Sequence, residues 1–282
     1  WCAEVLVGSA MVCAGLAAEQ PARPNILFIL TDQQHANMLS CAGNPWLKTP
    51  AMDSLARNGV RFQRAYSVNP VCVPARVGMF TGCTPSRFGM QDNSELRKTT
   101  YPAEVQRQTM GRLLREAGYE TAYGGKTHLP GKFDDYGFEF LTQDQREELA
   151  STCTVFLKKK HDRPFLLVAS FINPHDICYM AINSYEAARN LKPGGGVAHD
   201  CLVEAMKKPA GISDEEFFAK YCPPAPANLE PQREGPEAIG IATYKQFRGY
   251  AFTNWTEKDW RLHRWAYARL TERVDQQIGT VL

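Results

Sequence analysis

The sequence lacks an excess of either charge and lacks any apolar run long enough to cross a bilayer. Lys and Arg total 32 against 30 Asp and Glu, a formal net charge of +2, so no overall field recruits nucleic acid or an anionic membrane, and any anion chemistry must be local. The 21 Gly and 18 Pro follow no period, which excludes collagen-like repeats, and a hydrophobic content of 44% excludes a disordered chain. No internal repeat is visible. What remains is a chain of 282 residues, enough for one large α/β domain or two ordinary ones, either of which buries most of its apolar surface without needing disulfides.

Residues 5–18 form a short apolar stretch that reads as a signal-peptide core. Gly15 and Ala17 supply small residues before a cut near Ala18, although no basic segment precedes the stretch and residue 1 is Trp. The alternative is a buried N-terminal helix or strand, against which stands the polar break that begins at Glu19. Residues 1–18 are therefore expected to be a signal-peptide remnant and the protein to be exported, periplasmic or secreted, or lysosomal or secretory in a eukaryote. Val12 before Cys13 argues against a lipoprotein anchor. Of 9 cysteines, those at positions 41, 72, 83, 153, 178, 201 and 222 would survive cleavage. Their number is odd, so at least one is unpaired within the chain, and the pairing of the others stays open.

Three apolar runs share one design. Ile26 to Leu30 ends in Thr31-Asp32-Gln33-Gln34-His35, Tyr119 to Tyr123 in Gly124-Gly125-Lys126-Thr127-His128, and Phe165 to Phe171 in Asn173-Pro174-His175-Asp176. Nearly continuous hydrophobic stretches of this length suit strands covered on both faces by helices, in a parallel or mixed sheet. Helical patterns lie between them. Thr49 to Gly59 has a Thr cap, Pro50 in its first turn and a Gly stop, and Thr109 to Gly118 repeats the pattern. This alternation predicts an α/β fold with the ligand crevice beyond the carboxyl ends of the strands, where all three polar clusters fall. Residues 180–240, rich in Pro and Gly, read as an insertion, either a lid over that rim or a plain surface excursion. A helix follows from Glu257 to Leu282, with Trp260, Arg264, Tyr267, Leu270 and Val274 at core spacing.

The most specific string is Cys72-Val73-Pro74-Ala75-Arg76-Val77-Gly78-Met79-Phe80-Thr81-Gly82. Pro74 fits a first helical turn and Gly82 a helix stop, which places Cys72 at a helix N-terminus. Free N–H groups and the dipole there favour an anion by about 0.3 to 1 kcal/mol, and Arg76, one turn on, adds a positive fork. Left as a thiol, Cys72 would be a candidate low-pKa nucleophile.

This string resembles the signature of the type I sulfatases of the alkaline phosphatase superfamily, and the resemblance runs from Arg23 to Leu282. It includes Arg23 to Gln34, Thr49-Pro50 with Asp53, Gly125-Lys126-Thr127-His128-Leu129, Pro164-Phe165 leading into Pro174-His175, and Val274-Asp275-Gln276-Gln277-Ile278-Gly279. It implies a mixed, largely parallel sheet sandwiched by helices, with residues 23–282 an incomplete N-terminal catalytic domain whose C-terminal part is missing. It further implies that a formylglycine-generating enzyme oxidises Cys72 to formylglycine, which Arg76 holds. Asp32, Gln33 and the modified Cys72 would ligate a divalent cation, Ca²⁺ first and Mg²⁺ or Mn²⁺ as alternatives. Lys126 would contact a sulfate oxygen, His128 would take a proton from the second hydroxyl of the hydrated aldehyde, and His175 would face the leaving oxygen.

Three departures stand out. Gln33 occupies a position where many members have a second Asp, which lowers the negative charge of the site. Thr127 replaces a usual Trp. The strand that brings the remaining metal ligands in the family has no counterpart up to Leu282, so the chain alone is expected to be inactive. Asp176 could reach substrate or cap a turn. The function implied is hydrolysis of a sulfate ester on a small molecule or polysaccharide. The alternatives are phosphonate monoester or phosphodiester hydrolysis, which some superfamily members carry out with formylglycine and an Asp and Gln pair at the metal, or a non-catalytic pseudoenzyme. Asn254-Trp255-Thr256 is a glycosylation sequon that matters only in a eukaryotic secretory route.

Overall fold

The computed structural model describes residues 23–97, 99–229, 236–238 and 246–282. The signal-peptide segment 1–18, and with it Cys2 and Cys13, lies outside the described residues. Four strands form one sheet: β1 (Ile26–Asp32), β2 (Glu120–Gly125), β3 (Glu139–Thr142) and β4 (Phe165–Pro174), in the order β1-β4-β2-β3. Every pairing is parallel. The three apolar runs are β1, β2 and β4. Strand β3, only four residues long, sits at an edge and carries too little apolar sequence to stand out.

All ten residues of β4 are buried, as a central strand of a doubly covered sheet requires. Its alternate side chains feed two cores. Leu166 and Val168 join Val73, Val77 and Phe80 of the helix α2 (Cys72–Thr81) and Tyr123 of β2. Phe165, Leu167, Ala169 and Phe171 face Leu149, Cys153 and Phe156 of the helix Leu149–Leu157, with Val274 and Ile278 of the long helix Glu257–Val281. Strand β1, which among the described residues pairs on one side only, is half-buried along most of its length.

The helix α1 (Pro50–Asn58) forms where expected, but Thr49 does not cap it. The Thr49 hydroxyl donates to Asp53 Oδ1 at 3.0 Å. The cap comes instead from Asp275 on the long helix, whose Oδ2 and Oδ1 accept from the Ala51 and Met52 N–H groups at 3.1 and 2.8 Å. Thr109 likewise precedes the helix Met110–Glu116 without capping it, and its hydroxyl turns to the carbonyls of Gln106 and Tyr136. The long helix carries a side-chain cap of its own, a reciprocal box between Thr256 and Asp259.

The Pro- and Gly-rich segment is more regular than its composition suggests. It contains the helices Cys178–Ala187, Val197–Met206 and Asp214–Glu216, the last running into a π turn at Phe217–Tyr221. Ala198, Cys201, Leu202 and Ala205 are buried at helical spacing, and the last three pack with Ile177 and Met180 and with Ala266 and Leu270 of the long helix. Residues 230–235 and 239–240 of the segment lie outside the described residues. All seven described cysteines are free thiols. Among the described residues, no helix is long and apolar enough to cross a membrane.

Candidate active site

The carboxyl ends of β1, β4 and β2 deliver Asp32, His175 and Lys126 to one rim, where the first residue of α2 meets them. Cys72 Sγ lies 3.3 Å from Asp32 Oδ1 and receives Lys126 Nζ at 3.5 Å. Asp32 Oδ2 is 3.0 Å from Lys126 Nζ and 3.2 Å from Arg76 NH2. All three charged side chains are buried, so one carboxylate stands between two cations. Burial alone would raise the Asp32 pKa; Lys126 and then Arg76 outweigh it and hold the group below its ordinary value.

Arg76 is the hub of the site. Its NH1 donates to Lys126 O and Ser170 Oγ, each at 2.8 Å, and lies 3.1 Å from the Tyr123 hydroxyl. Ser170 Oγ and the Tyr123 hydroxyl also donate to Lys126 O. Three donors therefore fix the Lys126 backbone, and its N–H donates to Ser170 O at 2.9 Å. This route for the chain needs Gly125, which has φ +89° and whose added Cβ would meet Ser170 O at 2.2 Å. Tyr123 and Ser170 escape a sequence reading, because a Tyr and a Ser inside apolar strands pass for core. Ser170 as the sole hydroxyl in Phe165 to Phe171 is the signal that could have revealed it.

The N-terminus of α2 is less open than a bare helix end. The Val73 N–H is taken by Asn93 Oδ1 at 2.9 Å, the Ala75 N–H by Val71 O at 2.9 Å, and Pro74 has no N–H. Attraction for an anion rests mainly on Lys126 and Arg76.

Asp32, Cys72 and His175 offer ligand atoms within 4.8 Å of one another. Gln33 lines the same cleft, in the left-handed region at φ 59°. Its carbonyl accepts from the Tyr267 hydroxyl, which in turn accepts from the His35 N–H at 2.8 Å, so the long helix holds this loop. The Asp32 carboxylate, the Cys72 thiol and the His175 ring are close enough to share one cation, a mixed set in which Asp32 supplies the hard oxygen donor.

His175 is pushed below its ordinary pKa by burial and by Lys126, and its Nδ1 lies 3.8 Å from Cys178 Sγ. Burial, and then the nearby Asp176, raise the Cys178 thiol to about 11. Asp176 neither reaches the cleft nor caps a turn: it is fully buried in a two-point ion pair with Arg146, at 2.9 and 2.6 Å.

Asp32, Gln33, Cys72, Arg76 and His175 line a cleft of about 810 Å³. Lys126 and His128 line an adjoining hollow of about 390 Å³ with Phe133 and Phe140. His128 thus belongs to a neighbouring recess, and its pKa is lowered to about 4 by loss of hydration, Lys126 and Arg76. A thiol lying against a buried lysine and beside a carboxylate held by a buried arginine is an arrangement that can engage a tetrahedral oxyanion ester and stabilise charge on it.

The Sulfatase family profile matches residues 24–282, and the chain belongs to the sulfatase family. A Delta 4,5-hexuronate-2-O-sulfatase of Bacteroides thetaiotaomicron is 25% identical over 289 residues, covering 96% of this chain and 54% of that protein. The solved structure of a 2-O GAG sulfatase superposes with a TM-score of 0.69 at 24% identity, covering 92% of this chain and 53% of that one. A phosphonate monoester hydrolase of Agrobacterium radiobacter superposes with a TM-score of 0.62 at 19% identity, over 91% of this chain and 58% of that one. The chain spans about half the length of these relatives.

Proposed function

We propose that the protein containing this chain hydrolyses a sulfate ester on a carbohydrate, with Cys72 as the nucleophile after conversion to formylglycine by a formylglycine-generating enzyme. The observation that carries this reading is the Cys72 side chain at the start of α2, within reach of both Lys126 and Asp32 and backed by Arg76. One hydroxyl oxygen of the hydrated aldehyde attacks sulfur as the bond from sulfur to the substrate oxygen breaks, and the proton that hydroxyl loses ends on the leaving oxygen, which His175 faces and which departs as the alcohol. His128 then takes the proton of the second hydroxyl, the aldehyde re-forms and sulfate departs; water restores the hydrate. Lys126 holds a sulfate oxygen and Arg76 fixes the nucleophile, while the depressed pKa of His128 keeps it neutral and able to accept the proton. A divalent cation held by Asp32, Gln33 and the modified Cys72, Ca²⁺ first among candidates, would supply neutralising charge to the sulfate oxygens.

The relatives that act on a hexuronate 2-O-sulfate and a GAG support a sulfated carbohydrate as substrate. Export, and the role of residues 180–240 as a cover for the cleft, belong to the same reading; Tyr179, Ala181 and Ile182 already form one wall. Ca²⁺ takes about six oxygens or more, and the three ligand residues assigned among the described ones supply fewer, so we expect these 282 residues alone to be inactive. A second reading, phosphonate monoester or phosphodiester hydrolysis, is favoured by the neutral Gln33 beside Asp32 and by the fold of the phosphonate monoester hydrolase.

The test is turnover of an aryl sulfate and a phosphodiester side by side by the full-length protein, co-expressed with the modifying enzyme. Faster cleavage of the phosphodiester selects the second reading. An unmodified thiol at Cys72 by mass spectrometry, or activity that survives Cys72→Ala, removes the nucleophile assignment.

A further inference from the structure

The wall of the cleft away from Cys72 is built from Phe247 and Arg248 on the helix Gln246–Asn254, Tyr179 on the helix Cys178–Ala187, and His263 on the long helix. Its electrostatics are one-sided. Among the described residues, Asp32 is the only carboxylate lining the cleft, and it is already committed to Lys126 and Arg76. Arg248 is exposed at the cleft, and among the described residues no acid pairs with it; its guanidinium lies only over the ring of Phe247, 5.7 Å from the centroid. The arginines of the long helix, by contrast, are engaged: Arg261 with backbone carbonyls and Glu257, Arg269 with Glu272, Arg273 with Glu147. An arginine left unpaired at the mouth of a cleft is a ready anion contact, because its planar fork matches a carboxylate or sulfate at two points.

His263 complements it. The ring stands among Trp255, Trp260 and Tyr267, with centroids 5.6, 6.2 and 6.5 Å away. That packing strips its hydration and lowers its pKa to about 4, so the ring adds no charge to the cleft it lines. The cleft volume of about 810 Å³ lies within the roughly 300–1,000 Å³ that holds a drug-sized ligand. It has room for a sugar that extends past the scissile sulfate.

We propose that Arg248 reads a second anionic group on the substrate, so that the site selects sugars carrying a carboxylate or a further sulfate beside the sulfate that is cleaved. This deepens, and rests on, the reading of the cleft as a sulfate-ester site. Selection is written into charge balance: at Cys72 the cations are partly neutralised by Asp32, whereas among the described residues no acid offsets Arg248.

Binding tests it without requiring hydrolysis. The full-length protein carrying Cys72→Ala is titrated by calorimetry with three probes: a monosulfated glucose, a disulfated glucose and a monosulfated glucuronate. The expected result is at least one dianion bound about tenfold more tightly than the monoanion, as one charged hydrogen-bonded contact provides. The two dianions separate a sulfate from a carboxylate as the second group. Arg248→Gln is expected to bring the ratio of dianion to monoanion affinity to within about twofold, Arg248→Glu to invert it, and Arg248→Lys to keep part of it. A thermal melt of each variant matching the parent certifies the fold. Equal affinity for all three probes, no binding by either dianion, or a preference that survives Arg248→Gln overturns the proposal. Failure of the unsubstituted protein to turn over any sulfate, with the dianion preference intact, overturns the hydrolytic reading and leaves the subsite standing.

Discussion

Asp32→Asn tests the electrostatic centre of the site most directly. The wild-type carboxylate lies 3.0 Å from Lys126 Nζ and 3.2 Å from Arg76 NH2, with all three side chains at 7% exposure or less. Asparagine keeps the shape and one acceptor but removes the charge, leaving two buried cations facing each other. Breaking a buried pair by deleting one partner costs about 3 to 5 kcal/mol, and because Asp32 serves two cations, about 4 kcal/mol is expected here. For a domain of this size, at about 2–4 °C per kcal/mol, the melting temperature should fall by about 8–16 °C. The assay is thermal unfolding of the metal-free full-length protein at neutral pH and in acid. The sign of the acid effect follows from the pKa. The folded value of Asp32 lies below 3.8, so its stabilisation is complete above the unfolded value and is lost as pH falls through the folded one. Wild type and variant should converge in strong acid. A melting temperature within about 2 °C of wild type at neutral pH, or a gap that does not narrow in acid, refutes this account.

Two further outcomes follow from the geometry. Gly125→Ala places a methyl 2.2 Å from Ser170 O at a φ of +89°, so it should cost at least about 2 kcal/mol and lower kcat by displacing Lys126; a melt and a turnover assay unchanged from wild type would show that the backbone relaxes. His128 has its pKa lowered to about 4, meaning that protonation is postponed and the ring remains a base in mild acid. The acid limb of the kcat profile should therefore fall near pH 4, and a limb near 6.5 would remove His128 from the proton-accepting role.

The layout of the fold was largely legible because β1, β2 and β4 are continuous apolar runs that end in polar clusters. The same pattern marked Asp32, Lys126 and His175, and the helix pattern around Pro74 and Gly82 placed Cys72. What escaped depends on tertiary partners. Strand β3 is defined by its pairing with β2 rather than by its own four residues. The helices between Cys178 and Met206 were masked by the glycines around Gly195, although Ala198, Cys201, Leu202 and Ala205 keep helical spacing. Thr49 and Thr109 look like caps, yet their hydroxyls serve Asp53 and two loop carbonyls. Arg248 and His263 come from elements far along the chain and share a cleft with Cys72 only once the fold is formed.

The cap on α1 has a consequence for how the chain is made. The Ala51 and Met52 N–H groups depend on Asp275, which follows them by 224 and 223 positions. At about 5–20 residues per second, the ribosome adds that carboxylate some 10–45 s after α1. The Phe165 N–H that meets Asn25 at the start of the sheet spans a separation of 140. β1 therefore waits for β4 until about 140 further residues have been added, and loops this long must close before any contact rewards them. The rim that gathers Asp32, Lys126 and His175 thus comes together only after the stretch that carries β4 has been made, and until then the emerging β1 exposes apolar surface.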